Sequence, residues 1–371
     1  MAPRPPSADL KLHLSDYIRL SWILCIVVIK TTLALLAVPF TTKKAPGLTR
    51  HLMYTALRAF TAHADSRLEQ GLVPGTEESY EDYCRIYKCK PRFEILEDGT
   101  RAYWMGSKTA RNVMLYLHGG GYAFPISNLH FKFLHFLLDD VNHKDTDALS
   151  ILVLHYDTTP FGTYPRQLAQ SAALLNYVRK TLGIPANRLF VSGDSAGGNL
   201  VMSLLSHLMH PHPDHSVPTV ELDKGEKLKG AALICPMTSF DLGADSFQRN
   251  KSLDVIDGRA GLRWVNAYLG GKPHDPYNEP ACTPEGWWKN LASVCRDVYH
   301  LIGGNEVMLD HEVLCYKKIE KEWAGEGEIR VEIIPGEGHV ACATDLQGGY
   351  DKEDIKTYTA VRDWFKMEVQ T

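Results

Sequence analysis

The chain has 371 residues, of which 44% are hydrophobic and 23% are charged, and its formal net charge is −4. This hydrophobic content supplies a large core, which excludes a mainly disordered chain. The 40 basic residues do not outnumber the 44 acidic ones, which disfavours nucleic-acid binding as the main role. The eight cysteines are scattered and include no CxxC pair, which argues against a disulfide scaffold, a zinc ribbon or a thioredoxin-like redox motif.

Near the N-terminus, residues 20–40 form a mostly apolar stretch with the length that a helix needs to span a bilayer. Lys30 lies at its centre, where a charge costs about 2.5–3.5 kcal/mol. The stretch starts late and lacks a small-residue cleavage site, so a cleaved signal peptide fits poorly. We predict an uncleaved single-pass membrane anchor within an N-terminal tail of residues 1–45. A helix in the membrane interface, or one docked on its own domain, is the alternative.

Residues 48–70 carry apolar side chains at helical spacing, which predicts an amphipathic helix near the membrane or over an active site. Further on, two short runs flank Asp98-Gly99, a hairpin signal. Short apolar runs then alternate with helical stretches, which predicts an α/β fold with a mostly parallel sheet and helices on both faces. The runs cover residues 113–117, 150–155, 188–192, 231–235, 298–302 and 329–334, and the helical stretches 128–142, 166–182, 196–209, 309–324 and 353–367. The aromatic-rich segment 237–292 interrupts this alternation and predicts an inserted helical cap.

Ser195 lies within a G-x-S-x-G pattern, Gly193-Asp194-Ser195-Ala196-Gly197. The pattern alone is weak, but here it follows a predicted strand and opens a predicted helix. A nucleophilic serine raised above a sheet requires this sharp strand-to-helix turn with small neighbours. The pattern therefore predicts Ser195 as the nucleophile, against the alternative of a glycine-rich turn that binds phosphate.

A second motif, His118-Gly119-Gly120-Gly121, follows the predicted strand 113–117. Glycines allow the main chain to approach a ligand closely, because no Cβ intervenes. We predict that the N–H groups of Gly119, Gly120 and Gly121, together with that of Ala196, form an oxyanion hole. His118 itself is predicted to order the loop by hydrogen bonding.

A serine nucleophile needs a base and an acid, in the chain order serine, acid, histidine. His339 is the best-placed base, because it follows the last predicted strand in a loop that can reach across the edge of the sheet. The acid is expected just beyond the strand 298–302, where Glu306 and Asp310 compete. We favour Glu306, which comes soon after the strand, and keep Asp310 as the alternative acid.

With these motifs in place, the sequence resembles the hormone-sensitive-lipase branch of the α/β-hydrolases, close to arylacetamide deacetylases and fungal steryl acetyl hydrolases. HGGGYAF, GDSAGGNL and LHYDTTPFGTYP carry the resemblance, which covers about residues 80–367. It implies the α/β-hydrolase fold, with Ser195 as nucleophile and His339 as base. Glu306 falls on the family's first acidic position, where aspartate is usual, and Asp310 on the second. The implied hydrolase domain is 46–371, with a cap formed by about 46–75 and 237–292.

The motifs predict a serine carboxylesterase or deacetylase, and the aromatic cap and the anchor favour an ester of a lipophilic alcohol, such as a sterol, aryl or secondary-metabolite ester. The resemblance implies that the acyl group is acetyl or another short one. No cofactor and no metal is predicted; the histidines of residues 210–215 are interpreted as a solvated loop. The expected partners are the ester and a membrane, that of the endoplasmic reticulum, and the expected processes are lipid metabolism or secondary-metabolite biosynthesis. The alternatives are an acyltransferase or cyclase on the same scaffold and a non-catalytic binding module. The oligomeric state stays open.

Overall fold

Eight strands form one sheet in the computed structural model, which describes residues 11–370. Their spatial order is β1-β2-β4-β3-β5-β6-β7-β8, and only the pairings of β2 with β1 and with β4 are antiparallel. The strands are β1 Phe93–Ile95, β2 Arg101–Met105, β3 Asn112–Leu117, β4 Leu149–His155, β5 Leu189–Asp194, β6 Leu228–Ile234, β7 Cys295–Gly303 and β8 Ile329–Ile334. The predicted mostly parallel α/β sheet is confirmed, as is the hairpin at Asp98-Gly99.

Helices cover both faces of this sheet, and alternate residues of the strands β2 to β7 pack in two separate cores. Leu115 of β3 packs in one core, while its neighbours Met114 and Tyr116 pack in the other. The helices are α1 Leu14–Ala37, α2 Leu48–Thr61, α3 Ser66–Gly71, α4 Thr76–Ile86, α5 Asn128–Val141, α6 Arg166–Asn176, α7 Ala196–Met209, α8 Asp245–Arg249, α9 Gly258–Leu269, α10 Leu291–Val294, α11 Leu309–Glu322, α12 Ala341–Gln347 and α13 Lys356–Glu368. A π-helical turn, Tyr177–Thr181, extends α6.

The prediction of a single helix over residues 48–70 is wrong, because the segment forms two helices, α2 and α3. The break has a local cause, because the Asp65 side chain accepts a hydrogen bond from Leu68 N at 3.0 Å and caps the start of α3. The short helices α4 and α12 were not predicted.

The N-terminal helix α1 begins before the predicted anchor and continues into a 3₁₀ turn, Val38–Phe40. Within residues 11–370 it is the one helix long and apolar enough to cross a membrane, by length and composition. It is not isolated from the rest of the protein, since Ile23 is buried against Ala64, which precedes α3, and against Leu68 of α3. Residues 1–10 of the predicted tail lie outside the described residues, and the boundary between 1–45 and 46–371 stays a prediction.

The helix α2 is joined to the body of the α/β domain by a buried ion pair. Arg50 Nη2 lies 2.6 Å from Asp345 Oδ2, and Tyr54 OH donates to Asp345 Oδ1 at 2.9 Å. Asp345 belongs to α12, the helix that begins two residues after His339. The N-terminal part of the predicted cap is therefore joined directly to the segment that carries the candidate base.

The two predicted cap segments also contact each other. Trp264 of α9 donates its indole N–H to Glu69 Oε2 of α3 at 3.0 Å, and Arg263 donates to Glu69 Oε1 at 2.5 Å. Glu69 is fully buried, so these bonds satisfy a carboxylate that would otherwise be costly in the interior.

Candidate active site

Ser195 occupies the turn between β5 and α7, with φ 53° and ψ −119°. This backbone conformation is rare for a residue with a side chain, and it requires close contacts from both sides. A Cβ on Gly197 would lie 1.9 Å from the Leu117 carbonyl oxygen, and one on Gly193 would lie 2.5 Å from the same oxygen. Both outer glycines of the motif are therefore needed, because the end of β3, the strand beside β5, lies directly against the turn.

Of the four N–H groups predicted to form the oxyanion hole, two of the glycine loop and that of Ala196 at the start of α7 are available, but the N–H of Gly119 is not. Gly119 N donates to Asp194 Oδ1 at 2.9 Å, so its assignment to the oxyanion hole is corrected: this N–H holds the loop in place. In residues 11–370, the N–H groups of Gly120, Gly121 and Ala196 have no hydrogen-bond acceptor. These three donors remain available for a ligand oxygen.

Asp194, the variable residue of the G-x-S-x-G pattern, holds the glycine loop in place through the hydrogen bond from Gly119 N. Its Oδ1 also accepts from Tyr116 OH at 2.6 Å, and His130 Nε2 lies 3.4 Å from its Oδ2. Burial would raise the pKa of Asp194, but the charge and hydrogen bond of His130, with the bonds from Tyr116 and Gly119, lower this pKa to about 2. An ionised Asp194 therefore fixes the loop position.

His118 contributes to the same loop, as the sequence predicted. Its Nδ1 donates to the Gly119 carbonyl oxygen at 2.8 Å, its ring stacks on Tyr156 with centroids 4.1 Å apart, and Tyr156 OH donates to its carbonyl oxygen at 2.7 Å. Burial lowers the pKa of His118 to about 3, so the ring is neutral near pH 7. A group with this pKa is suited to ordering the loop rather than to proton transfer.

The structure brings His339 and Glu306 together at the carboxyl ends of β7 and β8. His339 Nδ1 donates to Glu306 Oε2 at 2.7 Å, and Gly303 N donates to Glu306 Oε1 at 2.6 Å. Both side chains are buried. The other ring nitrogen, His339 Nε2, has no hydrogen-bond partner in the described residues, and His339 lines the same cavity as Ser195.

The bond between these two groups changes the pKa of each. Burial would lower the pKa of His339, but the hydrogen bond and negative charge of Glu306 outweigh it, so this pKa lies above the usual histidine value. Burial would likewise raise the pKa of Glu306, and the hydrogen bond and charge of His339 instead hold it below the usual range. The pair is thus suited to stabilising an imidazolium when Nε2 takes a proton.

Asp310, the alternative acid, lies apart from this pair. Its Oδ2 accepts from Ser246 N at 2.8 Å, and its Oδ1 accepts from Arg249 at 2.7 Å. Both partners belong to α8 of the cap segment. Asp310 therefore fastens α11 to the cap, and its oxygens are bonded away from His339.

Sequence reasoning missed Asp254, a fully buried cap residue that contacts both loops of the candidate triad. Its Oδ1 accepts from His339 N at 2.8 Å, and its Oδ2 accepts from Val307 N at 2.7 Å. No local motif marks this residue. An acidic side chain amid apolar cap residues was the available signal, but its partners are distant in sequence.

Asn250 of the cap has a related role. Its side-chain amide donates to the Glu306 carbonyl oxygen at 2.8 Å, and the residue is 3% exposed. Asn250-Lys251-Ser252 matches a glycosylation sequon. Because the amide nitrogen is buried and bonded, the folded protein offers no room for a glycan there.

Ser195 and His339 open into a cavity of about 380 Å³. Its wall is largely apolar and is shared between the cap and the sheet edge. Representative lining residues are Leu57, Phe60, Phe124, Phe240, Leu262 and Trp264. A wider groove of about 610 Å³ lies on the outer surface beside Leu314 and Ile333, and neither Ser195 nor His339 lines it.

In the described residues, Cys235, Glu306 and His339 form the one group of side chains close enough to share a metal ion. Glu306 and His339 are already bonded to each other, and burial raises the pKa of the Cys235 thiol well above its usual value. A neutral thiol is a poor ligand, since metals bind the thiolate. Two histidines of the 210–215 loop are engaged within the protein, His210 with the Trp287 carbonyl and His212 with Tyr164 OH.

Curated relatives match part of the chain. Steryl acetyl hydrolase 1 of Saccharomyces cerevisiae is 34% identical over 109 residues, which are 28% of this chain and 24% of that protein. Arylacetamide deacetylase of Bos taurus is 27% identical over 169 residues, 44% of this chain and 39% of that protein. The acetyl-hydrolase of Streptomyces hygroscopicus is 29% identical over 171 residues, which are 45% of this chain and 50% of that protein. The matches thus span between about a quarter and half the length of these relatives.

Solved structures show the same fold over more of the chain. An esterase/lipase from an uncultured bacterium has a TM-score of 0.61 at 20% identity and covers 88% of this chain and 100% of its own. An esterase from the bacterial hormone-sensitive lipase family has a TM-score of 0.59 at 19% identity and covers 97% of this chain and 100% of its own. At these identities the likeness establishes the fold alone.

A family model described as alpha/beta hydrolase fold matches residues 114–343. This range is more than half of the 371 residues. It contains the Ser195 turn, the glycine loop and the bonded pair Glu306–His339. The chain therefore belongs to the alpha/beta hydrolase fold family.

Proposed function

We propose that this protein is a serine carboxylesterase that hydrolyses short-acyl esters of lipophilic alcohols. The observation that carries the proposal is the buried hydrogen bond between His339 and Glu306, with His339 Nε2 unpaired in the cavity that Ser195 lines. A base oriented by an acid and open toward a serine is the arrangement that nucleophilic ester hydrolysis requires.

In the proposed reaction, His339 Nε2 takes the Ser195 hydroxyl proton as Oγ attacks the ester carbonyl carbon. The N–H groups of Gly120, Gly121 and Ala196 bind the resulting oxyanion. His339 then gives the proton to the departing alcohol oxygen, which leaves an acyl-serine. Water deprotonated by His339 attacks this acyl group, the acid is released and the Ser195 proton is restored.

The substrate class has two independent supports. The apolar cavity wall favours a lipophilic group, because few of its side chains could hydrogen-bond a polar one. The names of the three relatives, a steryl acetyl hydrolase, an arylacetamide deacetylase and an acetyl-hydrolase, favour acetyl as the acyl group. Location in the endoplasmic reticulum stays a prediction.

Covalent labelling tests the proposed nucleophile. A fluorophosphonate probe is expected to label the wild type, and Ser195→Ala is expected to abolish the labelling, because the reacting oxygen is removed. In parallel, steryl acetates, aryl acetates and triglycerides are incubated with both proteins and the products are identified. Persistent labelling of Ser195→Ala would place the nucleophile elsewhere. Acyl transfer to a second alcohol, without release of free acid, would identify an acyltransferase.

The acid is tested by a matched pair of substitutions. Glu306→Gln is expected to lower kcat by about 10³–10⁴-fold, because the imidazolium of His339 loses its ionised partner. Asp310→Asn is expected to cost far less, because Asp310 contacts Ser246 and Arg249 rather than His339. Steady-state rates on a soluble aryl acetate, with circular dichroism to verify folding, make the comparison. The reverse ranking would assign the role to Asp310.

The raised pKa of His339 predicts a pH dependence. Because the neutral ring is the base, kcat/KM should rise with pH through the His339 pKa, with a midpoint above the 6.5 of an ordinary histidine. Glu306→Gln should move this midpoint down, since burial then acts without the opposing charge. Asp310→Asn should leave it unchanged. A wild-type midpoint at or below 6.5 would contradict the assigned electrostatics.

The role of the N-terminal helix is tested by deleting residues 1–42. We expect the full-length protein in the carbonate-washed membrane pellet and the truncated protein in the supernatant, with hydrolysis of a soluble ester kept within about tenfold. Folding should survive, because the two ion pairs lost with α1, Arg67–Asp16 and Arg19–Asp65, are partly exposed and such pairs contribute little. Full-length protein in the supernatant would identify α1 as a docked helix. A truncated protein that does not fold would move the domain boundary.

A further inference from the structure

A second carboxyl group lies directly behind Glu306. Glu312, six residues further along the chain in the first turn of α11, is fully buried, and neither of its oxygens has a hydrogen-bond donor in residues 11–370. Its carboxyl group lies within hydrogen-bonding reach of that of Glu306. It takes no part in the reaction described above. A buried carboxyl group placed against the acid of a triad requires a physical explanation.

Two ionised carboxylates cannot form this contact, because each has lone pairs and neither has a hydrogen to donate. Ionised Glu312 would have both oxygens unsatisfied, since no donor in residues 11–370 reaches either of them. One proton shared by the pair removes both problems: it supplies the missing hydrogen and eliminates the repulsion of like charges.

The proton belongs on Glu312 rather than on Glu306. Glu306 already accepts hydrogen bonds from His339 Nδ1 and Gly303 N, both of which stabilise its ionised form. Glu312 receives no comparable bond, and burial together with the charge of Glu306 raises its pKa well above the usual range.

Among the described residues, no positively charged group near Glu312 would favour loss of its proton. His300 Nε2 of β7 lies 3.8 Å from Glu312 Oε2, but burial lowers the pKa of His300 to about 4, so the ring is neutral near pH 7. The other titratable groups that act on the pair are His339, Asp254, Cys235 and Cys315. Of these, His339 is bonded to Glu306, and the rest are acids.

We propose that Glu312 is a positioning residue whose protonated carboxyl group donates a hydrogen bond to Glu306, keeping Glu306 ionised and aimed at His339. The proposal rests on the proposed function, because it assigns Glu312 a part in orienting that triad. Glu312 acts through Glu306 and does not contact the substrate.

If Glu312 donates to Glu306, removing this donor should shift the pH profile of kcat/KM in a defined direction. A donor to Glu306 withdraws part of its negative charge from His339, so loss of the donor should leave Glu306 more basic and raise the pKa of His339. The acid limb of kcat/KM should then move to higher pH. A purely structural residue would change the amount of folded enzyme without moving this limb.

Three variants of the full-length protein test this. Glu312→Gln keeps a donor in the same place and should retain kcat within about threefold, with the wild-type acid limb. Glu312→Met has similar volume and no donor, and it should lower kcat by about 10- to 100-fold with the acid limb shifted upward. Glu320→Met, at an exposed site on the same helix, is the matched control and should resemble the wild type.

Infrared difference spectroscopy provides a readout that needs neither activity nor a folded Glu312→Met protein. The carbonyl stretch of a protonated, buried carboxylic acid should be present in the wild type and in Glu306→Gln and absent from Glu312→Gln. A Glu312→Gln enzyme whose acid limb moves to lower pH would show that Glu312 is ionised, and would overturn the proposal. So would a Glu312→Met enzyme with wild-type kcat and pH profile. An inactive, unlabelled wild type would instead refute the proposed function.

Discussion

The close approach of β3 to the turn at Ser195 is the constraint on which the rest of the site depends. The Leu117 carbonyl oxygen lies where side chains of residues 193 and 197 would project, so the turn can be made only with glycine at both positions. With the turn in place, Ser195 adopts its positive φ and α7 starts immediately after it. The same approach brings the glycine loop beside the serine, because that loop begins where β3 ends. One steric requirement thus places both the serine and the N–H groups of Gly120, Gly121 and Ala196.

Buried carboxyl groups then hold the loops around this turn. Asp194 bonds Gly119 N, Glu306 bonds Gly303 N, and Asp254 bonds the N–H groups of His339 and Val307. Backbone N–H groups in loops have no ladder partner, and a buried one left unsatisfied is costly. Side-chain oxygens meet this need while they fix the loop geometry. The loops around the site are therefore held in place before any ligand binds, largely by hydrogen bonds from their N–H groups to carboxyl oxygens.

The cap is joined to the site rather than laid over it. Its parts are connected by Glu69 with Trp264, and its contacts with the α/β domain include those of Arg50 with Asp345 and of Asp254 with His339. The aromatic ring of Trp264 also lies where a Cβ on Gly121 would project, 2.8 Å from Trp264 Cε3. The cavity wall and the loops that carry the candidate triad consequently share contacts. The helix α1 packs on the outer side of this assembly and leaves most of its apolar surface exposed.

The sequence alone predicts the sheet, the Ser195 turn, the glycine loop and His339 as the partner of an acid that follows β7. These features depend on local chemistry: hydrophobic alternation, glycine at close approaches, and the order of strands whose carboxyl ends meet at one edge. Local sequence favoured Glu306 but kept Asp310 open, because Asp310 comes only about one helical turn after Glu306 and packing decides which of the two reaches His339. It also assigned Gly119 to the oxyanion hole, because the contact that engages its N–H comes from Asp194, distant in sequence. Tertiary structure alone revealed Asp254, Asn250 and Glu312, whose roles arise from partners on other elements, and it separated α2 from α3 where Asp65 caps the second helix.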